Sequence, residues 1–374
     1  MTLIPVETAE DFSLAEQFVI PHEETCVSLA SLVRRKSDNL VFILNTENPV
    51  VEEQNQEDNP KTTLSARFLT DSQSDKVSIR PSDYSTTDTS TNSPVVEWPR
   101  SGCIETTGIL GILNLDSTIY HCIPNPDLID ADELSENLNY LIKKQIRCIS
   151  GEKKATDFLI EVCNSVRCGF DPSTGLRNRT SSGLLNHPAQ VYDYKMLRWL
   201  STSEAGVSKP PKSQMVSTLR QGSGTASSTT LSGGEEIIRC TEHDMEILHP
   251  LQKDYMKDEV AVPGRPITDA EVDISLRQIL KNQLCFALTV DGDIVAKANT
   301  NAIGINKVQI GGVYTHPLYR RNGYAAALVT ALCNRALRSG KEPVLFVKEK
   351  NMPAFNLYQK IGFAECGQYS IAYY

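Results

Sequence analysis

Alternating apolar and polar positions divide the chain into short strand-like and helix-like segments that interleave from end to end. In the first half, strands are predicted over 40–44, 108–115, 118–123, 146–150 and 190–200, with Asp116-Ser117 joining two of them in a tight hairpin. Helices are predicted over 24–35, over 131–145 with Leu134, Leu138, Leu141 and Ile142 on one face, and over 153–166 with Phe158, Leu159 and Val162. The second half repeats the plan. Strands fall at 236–240, 284–290, 294–301, 307–314, 344–348, 364–367 and 369–373, and helices at 243–260, 270–282, 322–339 and 351–361. Such interleaving implies an α/β fold, with an α+β mixed sheet, rather than a bundle. The shared order of hairpin, helix, short strand, helix and terminal strand suggests an internal repeat.

Three stretches break the pattern. Residues 45–63 are rich in Glu, Asn and Gln, and 71–93 in Ser, Thr and Asp, so neither buries enough apolar surface to offset its ordering entropy. Residues 201–234 carry Lys-Pro-Pro-Lys and a Gly/Ser/Thr run, the strongest boundary in the chain. The expected division is a divergent α/β domain over 1–200, a flexible linker over 201–234, and a second domain over 235–374.

Charge and composition then narrow the function classes. The net charge is −9, from 37 Lys+Arg and 46 Asp+Glu; from Glu235 onward the two signs balance at 16 each, so the excess lies in the first part. An acidic chain without a basic stripe argues against nucleic acid or an anionic membrane as partner. The 10 cysteines are scattered without CxxC spacing and the 6 histidines show no ligand spacing, so reduced thiols and no metal are expected. With no apolar run of spanning length and no signal-like start, the expectation is a soluble, cytoplasmic protein.

The chemistry concentrates between Val308 and Phe363. An apolar strand containing Gly311-Gly312 leads through His316-Pro317 into Arg320-Arg321-Asn322-Gly323-Tyr324-Ala325, which opens a helix. Paired glycines mark a bulge or a close ligand. Gly323 lets backbone approach an anion, and the helix start supplies free N–H groups. On the residues alone, a solvated basic helix start is the competing reading. A second helix begins at Asn351, a natural cap, with Pro353 early in it and Ala354, Leu357, Tyr358 and Ile361 inside it. The matching place in the first half, after Ile123, has Pro124-Asn125-Pro126-Asp127 instead of an Arg-rich Gly turn, so that copy is expected to lack an anion loop.

The string Val-x-x-x-Pro-x-Tyr-Arg-x-x-Gly-x-Ala from Val313 to Ala325, followed by Asn-x-x-Ala-x-x-x-Tyr-x-x-x-Gly-Phe from Asn351 to Phe363, resembles the GNAT (GCN5-related N-acetyltransferase) family, its FR47-like branch above all. Element order extends the resemblance over 235–374, and makes the first half a candidate divergent, GNAT-like tandem copy. The resemblance implies acetyl-CoA, or another acyl-CoA, as co-substrate and a small-molecule or polypeptide amine as acceptor, by direct attack in a ternary complex (EC 2.3.1 class). It implies pantetheine contacts at Gly312, Val313 and Tyr314. Pyrophosphate contacts are implied at Arg320, Arg321, Asn322, Gly323, Tyr324 and Ala325, and a further contact at Asn351. Ala325 stands where many members have a second Gly, and Asn322 where a basic residue is common. Tyr358 is implied as general acid and the Val313 N–H as oxyanion donor. Asp258, Glu259 and His316 are candidate bases, with a water-mediated route equally open. The alternatives are an acyl-CoA sensor or partner-docking module without turnover, and a P-loop protein, whose Lys-Ser/Thr ending is missing. The acceptor's identity and the oligomeric state are not legible.

Overall fold

The computed structural model describes residues 1–45, 108–141, 146–167, 170–171, 176–177, 189–200, 228–230, 234–261 and 265–374. The expected loop 71–93, all of 45–63 except Asn45, and most of 201–234 lie outside the described residues.

The first half begins with β1 (Thr2–Pro5), α1 (Ala9–Val19), a 3₁₀ turn (Ile20–Thr25), α2 (Val27–Arg34) and β2 (Leu40–Leu44). Next come β3 (Ile109–Asn114), β4 (Thr118–Cys122), α3 (Ala131–Leu141), β5 (Cys148–Glu152) and α4 (Lys153–Arg167). The small pair β6 (Phe170–Asp171) and β7 (Leu176–Arg177) precedes β8 (Gln190–Trp199). The second half contains β9 (Ser228–Thr230), β10 (Glu235–Arg239), α5 (Met245–Tyr255), a π turn (Met256–Val260) and α6 (Asp269–Asn282). It continues through β11 (Cys285–Val290), β12 (Asp293–Ile303), β13 (Lys307–Thr315), α7 (Tyr324–Arg338), β14 (Glu342–Lys348), α8 (Met352–Ile361) and β15 (Phe363–Tyr373).

Five elements, β1, α1, β6, β7 and β9, have no counterpart in the hydrophobic pattern. Strand β1 is four residues long, too short to show alternation, and pairs antiparallel with β2. Helix α1 opens with a reciprocal box: Asp11 N–H donates to Thr8 Oγ1 (3.1 Å) and Thr8 N–H to Asp11 Oδ2 (2.8 Å). The strands expected at 364–367 and 369–373 are one strand, β15, because a bulge between Glu365 and Gly367 absorbs the break without ending the ladder to β8. The helix expected over 243–260 becomes a π turn after Tyr255.

Among the described residues, thirteen strands form one mixed sheet in the order β1-β2-β3-β4-β5-β15-β8-β14-β13-β12-β11-β10-β9. Both halves share it. In each half a strand, a helix, a parallel neighbour strand and a second helix lead to a terminal strand: β4-α3-β5-α4-β8 and β13-α7-β14-α8-β15. The terminal strands are exchanged. Strand β8 pairs with β14, β15 pairs with β5, and β8 and β15 pair with each other, all antiparallel. The sheet therefore runs unbroken from one half into the other.

The apolar cores follow this continuity. In the second half, Leu328, Val329, Leu332 and Cys333 of α7 pack with Leu345, Phe355, Tyr358 and Phe363, and Leu197 of β8 enters the same cluster. Each such buried side chain contributes about 1.5–3 kcal/mol. Val27 of α2 packs against Ala302 and Val344 across the halves.

A buried carboxylate fixes that contact. Glu23 is fully buried and accepts from Asn306 N–H (3.0 and 2.9 Å) and Lys307 N–H (3.0 Å), capping the β12–β13 turn of the other half. A Cβ on Gly304 would lie 2.1 Å from Glu23 Oε1, so a side chain there would displace the carboxylate from the turn. Arg34 Nε adds a bond to Ile303 O (3.0 Å). Glu23→Ala removes the acceptor of both turn amides and is expected to lower unfolding free energy by about 1.5–3 kcal/mol, the scale of a hydrogen bond to a charged group. A urea midpoint equal to the wild-type value would contradict this role.

Candidate active site

Strands β13 and β14 are parallel neighbours only from Lys307↔Glu342 to Ile310↔Leu345. Beyond that point β13 stays with β12, while Phe346, Val347 and Lys348 of β14 pair with Met196, Lys195 and Tyr194 of β8. The two strands part, and the amides of 311–315 face no strand on the β14 side. Opposite them the β12 register slips between Asn299↔Gly311 and Lys297↔Tyr314, a bulge centred on Gly312. Gly312 has φ +57°, and a Cβ there would lie 1.9 Å from Asn299 Oδ1. Glycine is required at this position.

A polar layer under the bulge holds it in shape. Lys297 is fully buried and donates from Nζ to Gly312 O (2.9 Å) and Asn299 Oδ1 (3.1 Å), with Nζ 4.7 Å from the centre of the Tyr255 ring. Asn299 Nδ2 donates to Thr300 O and to Asn301 Oδ1, both at 3.0 Å. Burial lowers the Lys297 ammonium to about 8. Sequence reading missed these residues. The signal was present: Lys297, Asn299 and Asn301 recur at period 2 on one face of a strand whose neighbours Val295, Ala296, Ala298 and Ala302 are buried and apolar.

The loop after β13 ends at an open helix start. Gly323, at φ +82°, is the N-cap of α7 and provides no side-chain cap, and the first turn holds no acidic residue. The N–H groups of Tyr324, Ala325 and Ala326 have no intrahelical acceptor by geometry, so they and the helix dipole form an anion-binding end. The corresponding helix of the first half is different. There Asp130 Oδ1 accepts from Glu133 N–H (2.9 Å), and Asp132 and Glu133 occupy the first turn of α3, so its positive end is already neutralised.

The individual side chains sort as follows. Arg320 turns back onto β13: Nε donates to Thr315 O (3.1 Å), and the guanidinium lies 3.6 Å from Asp258 Oδ2 and 5.5 Å from the Tyr314 ring centre. Arg321 is exposed at φ +69°, and Asn322 Nδ2 donates to Tyr319 O (3.2 Å). The Tyr324 ring is buried in the core with its hydroxyl on Glu235 Oε1 (3.3 Å), which leaves its backbone alone for a ligand. Tyr314 donates to Asp258 Oδ2 (2.8 Å); burial first, then that carboxylate, pushes its phenol up to about 12. Asn351 Oδ1 caps α8 by accepting from Ala354 N–H (3.2 Å).

Tyr358 is buried in the same apolar cluster that Val313 packs against, edge-on to Phe363 at 6.2 Å. Burial raises its phenol well above the ordinary value, and no hydrogen bond holds its hydroxyl among the described residues. The candidate bases are engaged elsewhere. Asp258 serves Tyr314 and Arg320, Glu259 pairs with Lys348 (3.3 Å), and His316 Nδ1 accepts from Leu318 N–H (3.4 Å), a turn role. Among the described residues no cluster of three or more His, Cys, Asp or Glu could hold a metal, and no helix is long and apolar enough to cross a membrane.

Comparison with known proteins bears on this geometry. Residues 248–363 match the family model described as "Acetyltransferase (GNAT) family". These residues form a GNAT domain. The match spans α5 to the first residue of β15, so β10, most of β15 and the exchanged β8 lie beyond it. No curated protein matches the chain. Among solved structures, a GNAT-family protein from Novosphingobium aromaticivorans is similar at 17% identity and TM-score 0.32, over 49% of this chain and 64% of that one. A Drosophila protein is similar at 16% identity and TM-score 0.44, over 71% and 73%. A predicted acetyltransferase from Clostridium acetobutylicum, solved with acetyl-CoA, is similar at 23% identity and TM-score 0.30, over 35% and 91%. Likenesses this distant carry no argument about substrate.

The Lys297 network in the GNAT domain has a pH signature. Its folded-state value of about 8 lies below the ordinary lysine value near 10.4, so between the two the unfolded chain binds the extra proton. The stability of wild type minus that of Lys297→Met is therefore expected to rise with pH from about 8 to about 10.4 and to level off above it. Urea titrations at stepped pH measure it, and a flat difference would contradict a buried, hydrogen-bonded ammonium.

Proposed function

We propose that the GNAT domain transfers the acyl group of an acyl-CoA, acetyl-CoA foremost, to a primary amine by direct attack in a ternary complex. The observation that carries this reading is the parting of β13 and β14 at the Gly312 bulge, beside the uncapped start of α7. Strand-like amides beside an anion-binding helix end suit a ligand that is an extended amide chain at one end and a pyrophosphate at the other. Gly312, Val313 and Tyr314 would hold the pantetheine arm along the open edge of β13. The backbone at Arg321, Asn322, Gly323, Tyr324 and Ala325 would hold the pyrophosphate, and Asn351 keeps its Nδ2 for a further contact while Oδ1 caps α8. Arg320, turned toward Asp258, would contribute charge without a direct contact.

Each step then has a named group. The acceptor amine must be neutral to attack the acyl carbonyl; as the C–N bond forms, the Val313 N–H meets the developing negative oxygen. As the C–S bond breaks, the leaving sulfur takes a proton from the Tyr358 hydroxyl, which burial keeps protonated and which no neighbour among the described residues holds. The amine's proton leaves through water, because Asp258, Glu259 and His316 each have another partner.

Tyr358→Phe is expected to cut acetyl transfer about 100-fold, the lower range for loss of a positioned acid, with acetyl-CoA affinity nearly unchanged. Released thiol, followed across an amine panel, measures the transfer. Unchanged turnover would remove Tyr358 from the chemistry, and acetyl-CoA binding with no transfer to any amine would favour a sensor. Gly323→Asp places a carboxylate at the positive helix end and is expected to abolish acetyl-CoA binding. Retained binding would contradict the pyrophosphate site.

A further inference from the structure

A cavity of about 470 Å³ opens beside the bulge, reaching Gly312, Asn299 and Tyr255 of the GNAT domain and Arg35, Tyr120 and Ser150 of the first half. It touches the place where the proposed reaction occurs, so the acceptor amine would enter through it. Its lining chemistry is uneven. The described wall is built of amide, hydroxyl and aliphatic side chains and contains no carboxylate. The nearby acids Asp258 and Glu259 are not part of that wall and have cationic partners of their own. A polyamine, an aminoglycoside-like polycation or a lysine-rich segment would find no carboxylate in the described wall to pair with its charges.

The one charged side chain in the described wall is Arg35, at the C-terminal end of α2. Its Nε donates to Ser31 O (3.3 Å), which fixes the plane of the guanidinium, while its terminal nitrogens have no partner among the described residues. The hydroxyl of Tyr120, on β4, likewise has no hydrogen-bond partner among them, whereas Ser150 is taken up by Tyr369 (2.8 Å). Burial pushes the Tyr120 phenol up to about 12, so it is a neutral donor at physiological pH. A guanidinium fork and a phenol donor that share one wall match the oxygens of an anion.

We propose that the acceptor is an amine that also carries an anionic group, a carboxylate or a phosphate, and that Arg35 and Tyr120 of the first half bind that group while the amine faces Gly312. The proposal rests on the acyltransferase reading for the position of the amine, but the anion site can be tested without turnover. In this assignment the first half is the specificity wall of an active site whose chemistry belongs to the second.

The experiment measures binding and transfer separately on the full chain saturated with CoA or acetyl-CoA. Calorimetry compares each of the common α-amino acids with its own amide, glucosamine 6-phosphate with glucosamine, and spermidine as the polycation. The expected result is at least one anionic amine that binds 10-fold or more tightly than its uncharged partner, and the arm in which it appears tells carboxylate from phosphate. Arg35→Gln is expected to remove that ratio while CoA affinity stays at the wild-type value, and Tyr120→Phe to reduce it in part. Equal binding of every anionic and uncharged pair, tighter binding of spermidine, or a ratio that survives Arg35→Gln would each overturn the proposal. Thiol release in the same mixtures reports the acyltransferase reading independently. An Arg35-dependent anion preference without transfer would uphold the site and reject the reaction, whereas transfer without the preference would do the reverse.

Discussion

Strand β8 leaves the first half and lies between β14 and β15 of the second, bonded to β15 from Gln190 to Trp199 and to β14 from Tyr194 to Arg198. The cleft depends on this placement. On the edge opposite β13, β8 pairs with β14 from Val344 to Lys348, so β14 stays anchored in the sheet past Leu345, where its ladder to β13 ends. The slot that exposes the amides of 311–315 therefore has one wall held in place by a strand of the first half. Strand β15 makes the reciprocal connection to β5, and Glu23 ties the first half to the β12–β13 turn. The first half is thus a structural part of the candidate active site before any question of its own activity arises.

The two helix starts show how one topology yields one open helix end. Helix α7 begins at a glycine in the left-handed region with no cap, whereas α3 begins with Asp130 as a cap and two further acids in its first turn. The helix end left open in one copy is capped by Asp130 and flanked by acids in the other. The Gly312 bulge likewise has a side-chain origin. Lys297, Asn299 and Asn301 bring a buried cation and two amides beneath Gly311-Gly312, and their bonds hold the Gly312 carbonyl back from the cleft side.

Much of this was legible in the residues. The β3–β4 hairpin around Asp116-Ser117 and the Asn351 cap each depend on local chemistry, and each stands where local chemistry puts it. The GNAT strings from Val313 to Phe363 were readable for the same reason, since glycine, proline and cap positions are local constraints. Strand exchange was not readable. Alternation says that 190–199 is a strand, not which strand it joins, and the Gly/Ser/Thr run after it suggested a boundary that the sheet crosses. Arg320 looked like a phosphate ligand because its partner Asp258 is distant in sequence, and Arg35 could not be seen as a site residue because α2 meets the GNAT domain only in the folded chain.

The central claim is that an acyl-CoA lies in the slot between β13 and β14 and ends on the start of α7. Backbone hydrogen exchange of the full chain, with and without acetyl-CoA, tests it most directly. The account predicts slowed exchange on binding at the amides of 311–315 and 324–326, with α3 of the first half unchanged. Protection that falls on the start of α3, or binding that leaves 311–315 exchanging at the free rate, would contradict it.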